Sequence, residues 1–333
     1  MILSRGFAGS ERYAAQMANV QCKTHDVAIV LKRSHANRKG VSITQWLDPR
    51  VRVIEVGNWF PRRGLARAIA EWKPDIIHAH LRRSTKLLAQ VRPPCPTVVT
   101  LHITVNGPHF ADMDGIICIA RWQQSDIPRG YRGRVYQIDP GYVPHRRLVP
   151  AEIAMIRREL NVAPEEFLVG GVGRLSRKKG FDTLIAAFEK AALPNARLVI
   201  LGEGSERKRL QPLCTPRISL PGFRANIKDY YQAFDLFVCA SRVEPFGFVL
   251  LEAFDAGVPV IASDALGPRE VLENYPGTQF PADDVDKLAE LLRRHRATPQ
   301  SKTPQDMSRY SLDSIAKKTE AVYRELIEAR KHA

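Results

Sequence analysis

Apolar residues along this chain fall into short unbroken runs separated by stretches with helical spacing. In the second half the runs are 168–173, 197–202, 218–220, 236–240 and 258–262, apolar but for Arg197 at one edge and Ser219. Uninterrupted runs of that kind suit strands buried on both faces. Between the first two, residues 181–192 are apolar at 181, 184, 185 and 188, one stripe of a helix. Helices are also predicted over 206–213, 227–233 and 247–256. The first half alternates too, with weaker punctuation: helices over 10–20 and 65–72, strands over 27–31, 51–56, 76–80, 97–101 and 115–120. A final amphipathic helix is expected over about 312–329. Strand alternating with helix predicts an α/β fold, parallel sheets covered by helices on both faces. The proline-rich stretch 140–150 fits an interdomain crossing, and 298–305 a second polar linker. Only residues 1–5 precede the loop at Gly6–Gly9, so the first strand is very short or the chain lacks a few natural residues.

Length and composition narrow the class. With 333 residues, two domains are expected. Charged residues at 26% and hydrophobic residues at 44% exclude a collagen, a disordered tail and a small disulfide scaffold. No window approaches the roughly 18 apolar residues of a membrane span. The start turns polar too quickly for a signal peptide. Five cysteines, odd in number and without zinc spacing, read as reduced thiols, so a cytoplasmic protein is expected. The net charge of +15 is uneven. Residues 1–150 carry 23 Lys and Arg against 10 Asp and Glu, which is +13 of the total. A basic half attracts an anion: nucleic acid, a membrane face or a phosphorylated substrate.

The strongest chemical pattern is Glu244-Pro245-Phe246-Gly247-Phe248-Val249-Leu250-Leu251-Glu252. Glu244 precedes a turn that opens a helix, and Glu252 is expected about two turns into it. A carboxylate there can accept from two vicinal hydroxyls of a ribose. Free N–H groups near Phe246, Gly247 and Phe248 can meet an anionic or hydroxyl group. The second pattern is the strand-to-helix loop 174–180, where Arg174 and Lys179, with Lys178 beside them, can neutralise a diphosphate. Gly173 and Gly180 let the backbone approach it. Cations for a pyrophosphate plus a carboxylate for a ribose describe a nucleotide. Nucleobase contacts are expected near Gly222-Phe223-Arg224.

These residues carry a resemblance. From Val172-Gly173-Arg174-Leu175 with Lys179-Gly180, through Leu201-Gly202-Glu203-Gly204 and Leu220-Pro221-Gly222-Phe223, to Glu244-Pro245-Phe246-Gly247 with Glu252, the chain resembles the family 4 retaining glycosyltransferases, which include lipopolysaccharide core transferases. In the first half, Ala8-Gly9-Ser10-Glu11-Arg12 resembles the family's Gly-Gly-x-Glu-Arg loop, and Thr100-Leu101-His102 its strand-end histidine. The resemblance implies a GT-B architecture of two Rossmann-like doubly wound domains facing a central cleft. It implies an acceptor domain over 1–148, a nucleotide-sugar domain over 149–310, and a helix over 311–333 packing back on the first. It implies donor contacts at Gly9, Gly173, Gly204, Phe223, Arg224, Phe246, Gly247, Phe248, Val249 and Glu252. It places Arg174 and Lys179 on the diphosphate, Glu244 by the transferred sugar and His102 by the reacting centre. The expected activity is hexosyl transfer with retention, needing no metal or other cofactor. The expected donor is a UDP-sugar or, second, a GDP-sugar, and the expected acceptor an anionic glycan or glycolipid at the inner membrane face. Two departures keep the donor sugar from carrying over: the family's first loop glycine is Ala8, and its Gly-Gly-Pro-x-Glu reads Leu266-Gly267-Pro268-Arg269-Glu270.

Weaker signals resolve against function. His78 and His80 have no third ligand at metal spacing and read as packed strand-end histidines. Asp112-Met113-Asp114 reads as a turn rather than a metal triplet. Gly202-x-Gly204 lacks the third glycine of a dinucleotide fingerprint. Three other activities stay open on sequence: a nucleotide-sugar epimerase, a glycan phosphorylase, and a basic nucleic-acid-binding protein. The last needs basic stripes with interleaved aromatics, whereas arginines here stand in scattered pairs such as Arg62-Arg63 and Arg82-Arg83, so no nucleic-acid partner is expected.

Overall fold

The computed structural model describes residues 1–4, 9–36, 40, 42–105 and 107–332. The loop residues Gly6 to Ala8, including the departure at Ala8, lie outside the described residues. The chain forms two compact units: Met1–Val143 with Ser308–Ala333, and Pro144–Met307.

In the first unit the order is α1 (Gly9–Gln21), β1 (Ala28–Lys32), β2 (Arg52–Val56), α2 (Pro61–Trp72), β3 (Ile77–His80), α3 (Leu81–Val91), β4 (Thr97–Leu101), β5 (Gly115–Cys118) and β6 (Arg134–Gln137). Strand pairing is parallel throughout, in sheets β1-β2 and β3-β4-β5-β6. Ile2 links the two, bridging in parallel to His80 and donating its N–H to Val30 O at 3.1 Å. The expected first strand is therefore a stub of one bridge. The strand expected over 115–120 stops at Cys118, because the next two N–H groups, of Ile119 and Ala120, bond to Gln123 Oε1 at 2.8 and 3.1 Å. α2 starts earlier than its apolar stripe, with Pro61 at its first turn, where a missing N–H costs nothing.

The second unit runs α4 (Pro150–Glu159), β7 (Phe167–Val172), α5 (Phe181–Ala191), β8 (Ala196–Leu201), α6 (Arg207–Leu210), β9 (Ile218–Gly222), α7 (Ile227–Tyr231), β10 (Leu236–Cys239), α8 (Phe248–Asp255), β11 (Val260–Ser263), α9 (Leu266–Leu272), β12 (Thr278–Phe280) and α10 (Val285–Ala297). The sheet order is β9-β8-β7-β10-β11-β12, all parallel. Leu198, Val199, Ile200 and Leu201 are all fully buried. Burying each such side chain is worth about 1.5–3 kcal/mol, which is why the central runs carry no polar break. The helix expected over 206–213 splits into α6 and a single 3-10 turn, Gln211–Leu213, at Pro212.

The last helix, α11 (Leu312–Lys331), buries Ile315, Ala316, Thr319, Val322 and Leu326 and packs on α1 in the first unit. No helix among the described residues is long and apolar enough to cross a membrane.

Candidate active site

The order β9-β8-β7-β10-β11-β12 reverses direction between β7 and β10, since the chain proceeds outward from β7 on one side and from β10 on the other. Crevices at such switch points take ligands at the strands' C-terminal ends. The loop after β7 carries Arg174 and Lys179, and the loop after β10 carries Glu244. Glycines bring the neighbouring loops together. A Cβ on Gly202 would stand 1.9 Å from Gly173 O, and one on Gly204 2.1 Å from Leu175 O.

The two switch-point loops are bound to each other. Arg242 N and Val243 N donate to Lys178 O at 2.8 and 3.1 Å. The Arg242 guanidinium donates to Arg177 O at 2.6 Å, to Asp182 at 2.9 and 3.1 Å, and to Asp283 Oδ2 at 2.9 Å. Lys179 Nζ donates to Glu244 Oε2, with side chains only 21% and 11% exposed. Burial pulls the Lys179 ammonium pKa down, but the Glu244 carboxylate together with Cys239 outweighs this, and the net pKa is raised above the ordinary lysine value. Arg174, itself exposed, stands close enough to oppose that rise. The site therefore holds a charged Lys179–Glu244 pair with the Arg174 guanidinium nearby as a second cation.

Gly247 sets the start of α8. Its φ of +107° is open to glycine at little cost, and it makes Phe248 the first helical residue. Glu252 thus lies about one turn into the helix, not two. Phe246 and Gly247 are buried, and Phe248, Val249 and Glu252 are half-buried. The α9 loop closes on this turn: Gly267 N donates to Glu244 O at 3.1 Å, and a Cβ on Gly267 would stand 2.5 Å from that oxygen. The departure residue, Leu266, points outward beside it at 51% exposure. Phe223 is 53% exposed. Arg224 donates to Glu159 Oε1 at 2.9 Å and to Pro221 O at 2.9 Å.

His102 and Gly9 belong to the first unit. Gly9 opens α1, with nothing near an added Cβ. His102 follows β4 directly, and its Nε2 lies 3.0 Å from Nδ1 of His80 at the end of β3. The Tyr13 ring stands edge-on to both, with centroids 6.0 Å from His80 and 5.5 Å from His102. His78 stacks on His80 at 4.4 Å and uses Nε2 on Thr100 Oγ1 at 2.7 Å. Burial pushes the His102 pKa down to about 4, and those of His78 and His80 well below the usual histidine value. All three rings are neutral at neutral pH. The contacts of His78 and His80 are those of packed strand-end histidines. Among the described residues no group of three or more His, Cys, Asp or Glu is arranged to hold a metal ion. Asp114 serves the turn, accepting from Thr97 N at 2.7 Å and Thr97 Oγ1 at 2.8 Å.

Sequence reading missed two parts of this arrangement. The Arg242–Asp182–Asp283 network joins residues 60 and 41 positions apart, with no local pattern to betray it. The His80–His102 contact links adjacent strand ends and becomes visible only once β3 and β4 are paired in register.

Family profiles cover nearly the whole chain. Glycosyl transferases group 1 matches residues 152–313 and glycosyltransferase family 4 matches residues 7–146. The lipopolysaccharide core biosynthesis glycosyltransferase LpsD of Rhizobium meliloti is 27% identical over 259 residues, covering 74% of this chain and 72% of that protein. A GDP-mannose-dependent alpha-mannosyltransferase of Mycobacterium tuberculosis is 31% identical over 268 residues, covering 72% of this chain and 68% of that one. The crystal structure of Anabaena HepE with UDP and glucose superposes with a TM-score of 0.78 at 21% identity, covering 97% of this chain and 98% of that one. The fold is that of the GT-B glycosyltransferases. The chain belongs to glycosyltransferase family 4, the group 1 glycosyl transferases.

Proposed function

We propose that this glycosyltransferase moves a hexose from a nucleotide diphosphate sugar to a hydroxyl of a glycan or lipid-linked acceptor of the cell envelope, with retained anomeric configuration and without a metal. The observation that carries the reading is the convergence of Arg174, Lys179, Glu244 and the start of α8 on the β7/β10 switch point. The first unit takes the acceptor, and the second takes the donor. The bond between the anomeric carbon and the diphosphate oxygen breaks, and negative charge grows on the leaving phosphate. Arg174, Lys179 and the α8 dipole stabilise that charge. The acceptor oxygen attacks from the face the phosphate is leaving, and its proton passes to the phosphate. Glu252 accepts from the ribose hydroxyls, Glu244 binds sugar hydroxyls, and His102 supplies a neutral imidazole to orient the reacting groups. A UDP-sugar is the first choice of donor and a GDP-sugar the second; the solved HepE structure holds UDP, and the mycobacterial relative is named for GDP-mannose. The basic first half suits an anionic acceptor, with the enzyme peripheral on the cytoplasmic face of the membrane.

A thermal-shift screen of UDP-glucose, GDP-mannose and ADP-glucose tests the donor. A true donor at 100 times its dissociation constant should stabilise by about 2.7 kcal/mol. Product analysis then decides the reaction: a new sugar nucleotide formed with no acceptor present would make the protein an epimerase. Loss of transfer in EDTA would end the metal-free mechanism.

A further inference from the structure

Two large aromatic side chains stand in water at one corner of the first unit. Trp59 is 91% exposed and Phe60 67% exposed, consecutive in the turn between β2 and α2. An unburied Trp-Phe pair forfeits the apolar stabilisation that placement in the core would give it. Arginines follow the pair in sequence and on the helix packed beside it. Arg62 and Arg63 lie in the first turn of α2, with the Arg63 guanidinium over the Phe60 ring at 5.4 Å. Arg82 and Arg83 lie in the first turn of α3, which packs against α2. All four are exposed, and none pairs with an acidic side chain among the described residues.

Topology puts these features on one edge. β3 and β4 pair in parallel, Ile2 bridges β3 in parallel, and α1 then carries the chain across to β1, the helical crossover that joins parallel strands, so the segments after β2, β3 and β4 all emerge at the same strand ends. Those segments begin with the Trp59-Phe60 turn, with Arg82-Arg83 and with His102 respectively. We infer that this edge is a membrane-docking surface: Trp59 and Phe60 insert into the interface of an anionic bilayer while the arginines bind its headgroups. The bilayer edge would then present a lipid-linked acceptor on the side of the unit that carries His102. This rests on the acceptor reading above.

The chemistry favours a bilayer over other anions. A soluble phosphorylated glycan could use the cations and stack one sugar face on the indole, but its binding would not require vesicles or bring Trp59 into contact with acyl chains. Single-stranded nucleic acid would use aromatics spaced along a groove, one base apart, and not one adjacent pair at a turn. Trp, Phe and Arg at a single corner match the residues that lie at lipid headgroup level.

The test is sedimentation of the full chain with vesicles of phosphatidylcholine, and with vesicles of equal parts phosphatidylcholine and phosphatidylglycerol, at low and raised salt. Wild type should bind only the anionic vesicles. Arg62→Glu/Arg63→Glu should weaken binding at low salt by roughly fivefold for each unit of charge changed. Trp59→Ser/Phe60→Ser should keep part of the low-salt binding but lose at least about tenfold at raised salt, where the apolar contribution dominates. Both pairs are exposed, so circular dichroism should show an intact fold. Acyl-brominated lipid should quench wild-type fluorescence, and that quenching should vanish in Trp59→Phe. Unchanged vesicle binding by Trp59→Ser/Phe60→Ser would overturn the proposal. So would binding to single-stranded RNA or heparin with none to vesicles. Nucleotide-sugar thermal shifts on the same preparations keep the two readings apart. A shift without vesicle binding sinks the docking surface alone. Vesicle binding that depends on Trp59, without any shift, supports the surface and sinks the donor reading.

Discussion

Replacing Lys179 separates two roles that the structure superimposes on one side chain. Its ammonium is the partner of Glu244, and it is also the cation proposed for the donor diphosphate. Lys179→Met leaves the Glu244 carboxylate 11% exposed and without its ammonium. Breaking a buried pair from one side costs about 3–5 kcal/mol, and the residual solvent access here brings the expected loss to about 2–3 kcal/mol. Glu244→Gln in the same chain removes the stranded charge, so the double variant should recover most of that loss. Urea denaturation of wild type, both single variants and the double variant measures the coupling directly. Activity should follow a different course. Without Lys179 the leaving phosphate loses a charge-stabilising contact, which costs roughly 10²–10³ in rate. Restoring the fold with Glu244→Gln should not return that rate. Single-turnover transfer assays on the four proteins give the answer. If the double variant regains both stability and rate, Lys179 only neutralises Glu244, and the diphosphate contact is wrong. If Lys179→Met is already as stable as wild type, the pair carries no stability and the magnitude worked here is wrong.

Glu252→Ala should weaken nucleotide-sugar binding by about 1.5–3 kcal/mol, the worth of charge-assisted bonds to two hydroxyls, and calorimetry showing unchanged affinity would remove Glu252 from the site. Arg242→Ala should cost about 1–3 kcal/mol in urea midpoint measurements and raise the donor KM, because it frees both switch-point loops; an unchanged KM would show that the loops hold their positions without it. The histidine cluster predicts acid sensitivity. The folded pKa values of His78, His80 and His102 are lowered, so their neutral forms support the fold fully above about pH 6.5. As pH falls from there towards the folded value of about 4 for His102, each should cost up to about 1.4 kcal/mol per unit. His80→Phe should flatten part of that slope in pH-dependent melting curves, and an unaltered slope would place the titration elsewhere.

What was legible in the sequence depended on how many faces an element buries. The strands β7, β8, β10 and β11 are covered on both sides, so their runs are uninterrupted and the pattern finds them. β6 has three of its four residues exposed and β12 spans only three residues, and neither leaves such a run. α4 buries no residue fully and follows the 140–150 crossing in a stretch where no element was predicted, because a helix on the surface needs no apolar stripe. α3 packs through Ser84, Thr85 and Ala89 as well as Leu87 and Leu88, so small polar residues dilute its periodicity.

The residues proposed for the donor stand out in sequence for a different reason. They lie within short segments, Arg174 with Lys179 and Glu244 with Glu252, and local spacing survives in sequence. The contacts that give those residues their properties are long-range. Lys179 meets Glu244 only because β7 and β10 are neighbours at the reversal of strand order, and that adjacency follows from the whole topology. The same is true of Arg242, whose partners lie on the loop after β7, at the start of α5 and in the turn before α10. Sequence thus nominates the groups proposed here for a nucleotide diphosphate. It could not show that the lysine meant for the phosphate is already engaged by a carboxylate in this site. A diphosphate entering beside Lys179 must therefore share the ammonium with Glu244 or displace it, which ties the position of Glu244, beside the transferred sugar in the family pattern, to occupation of the phosphate site.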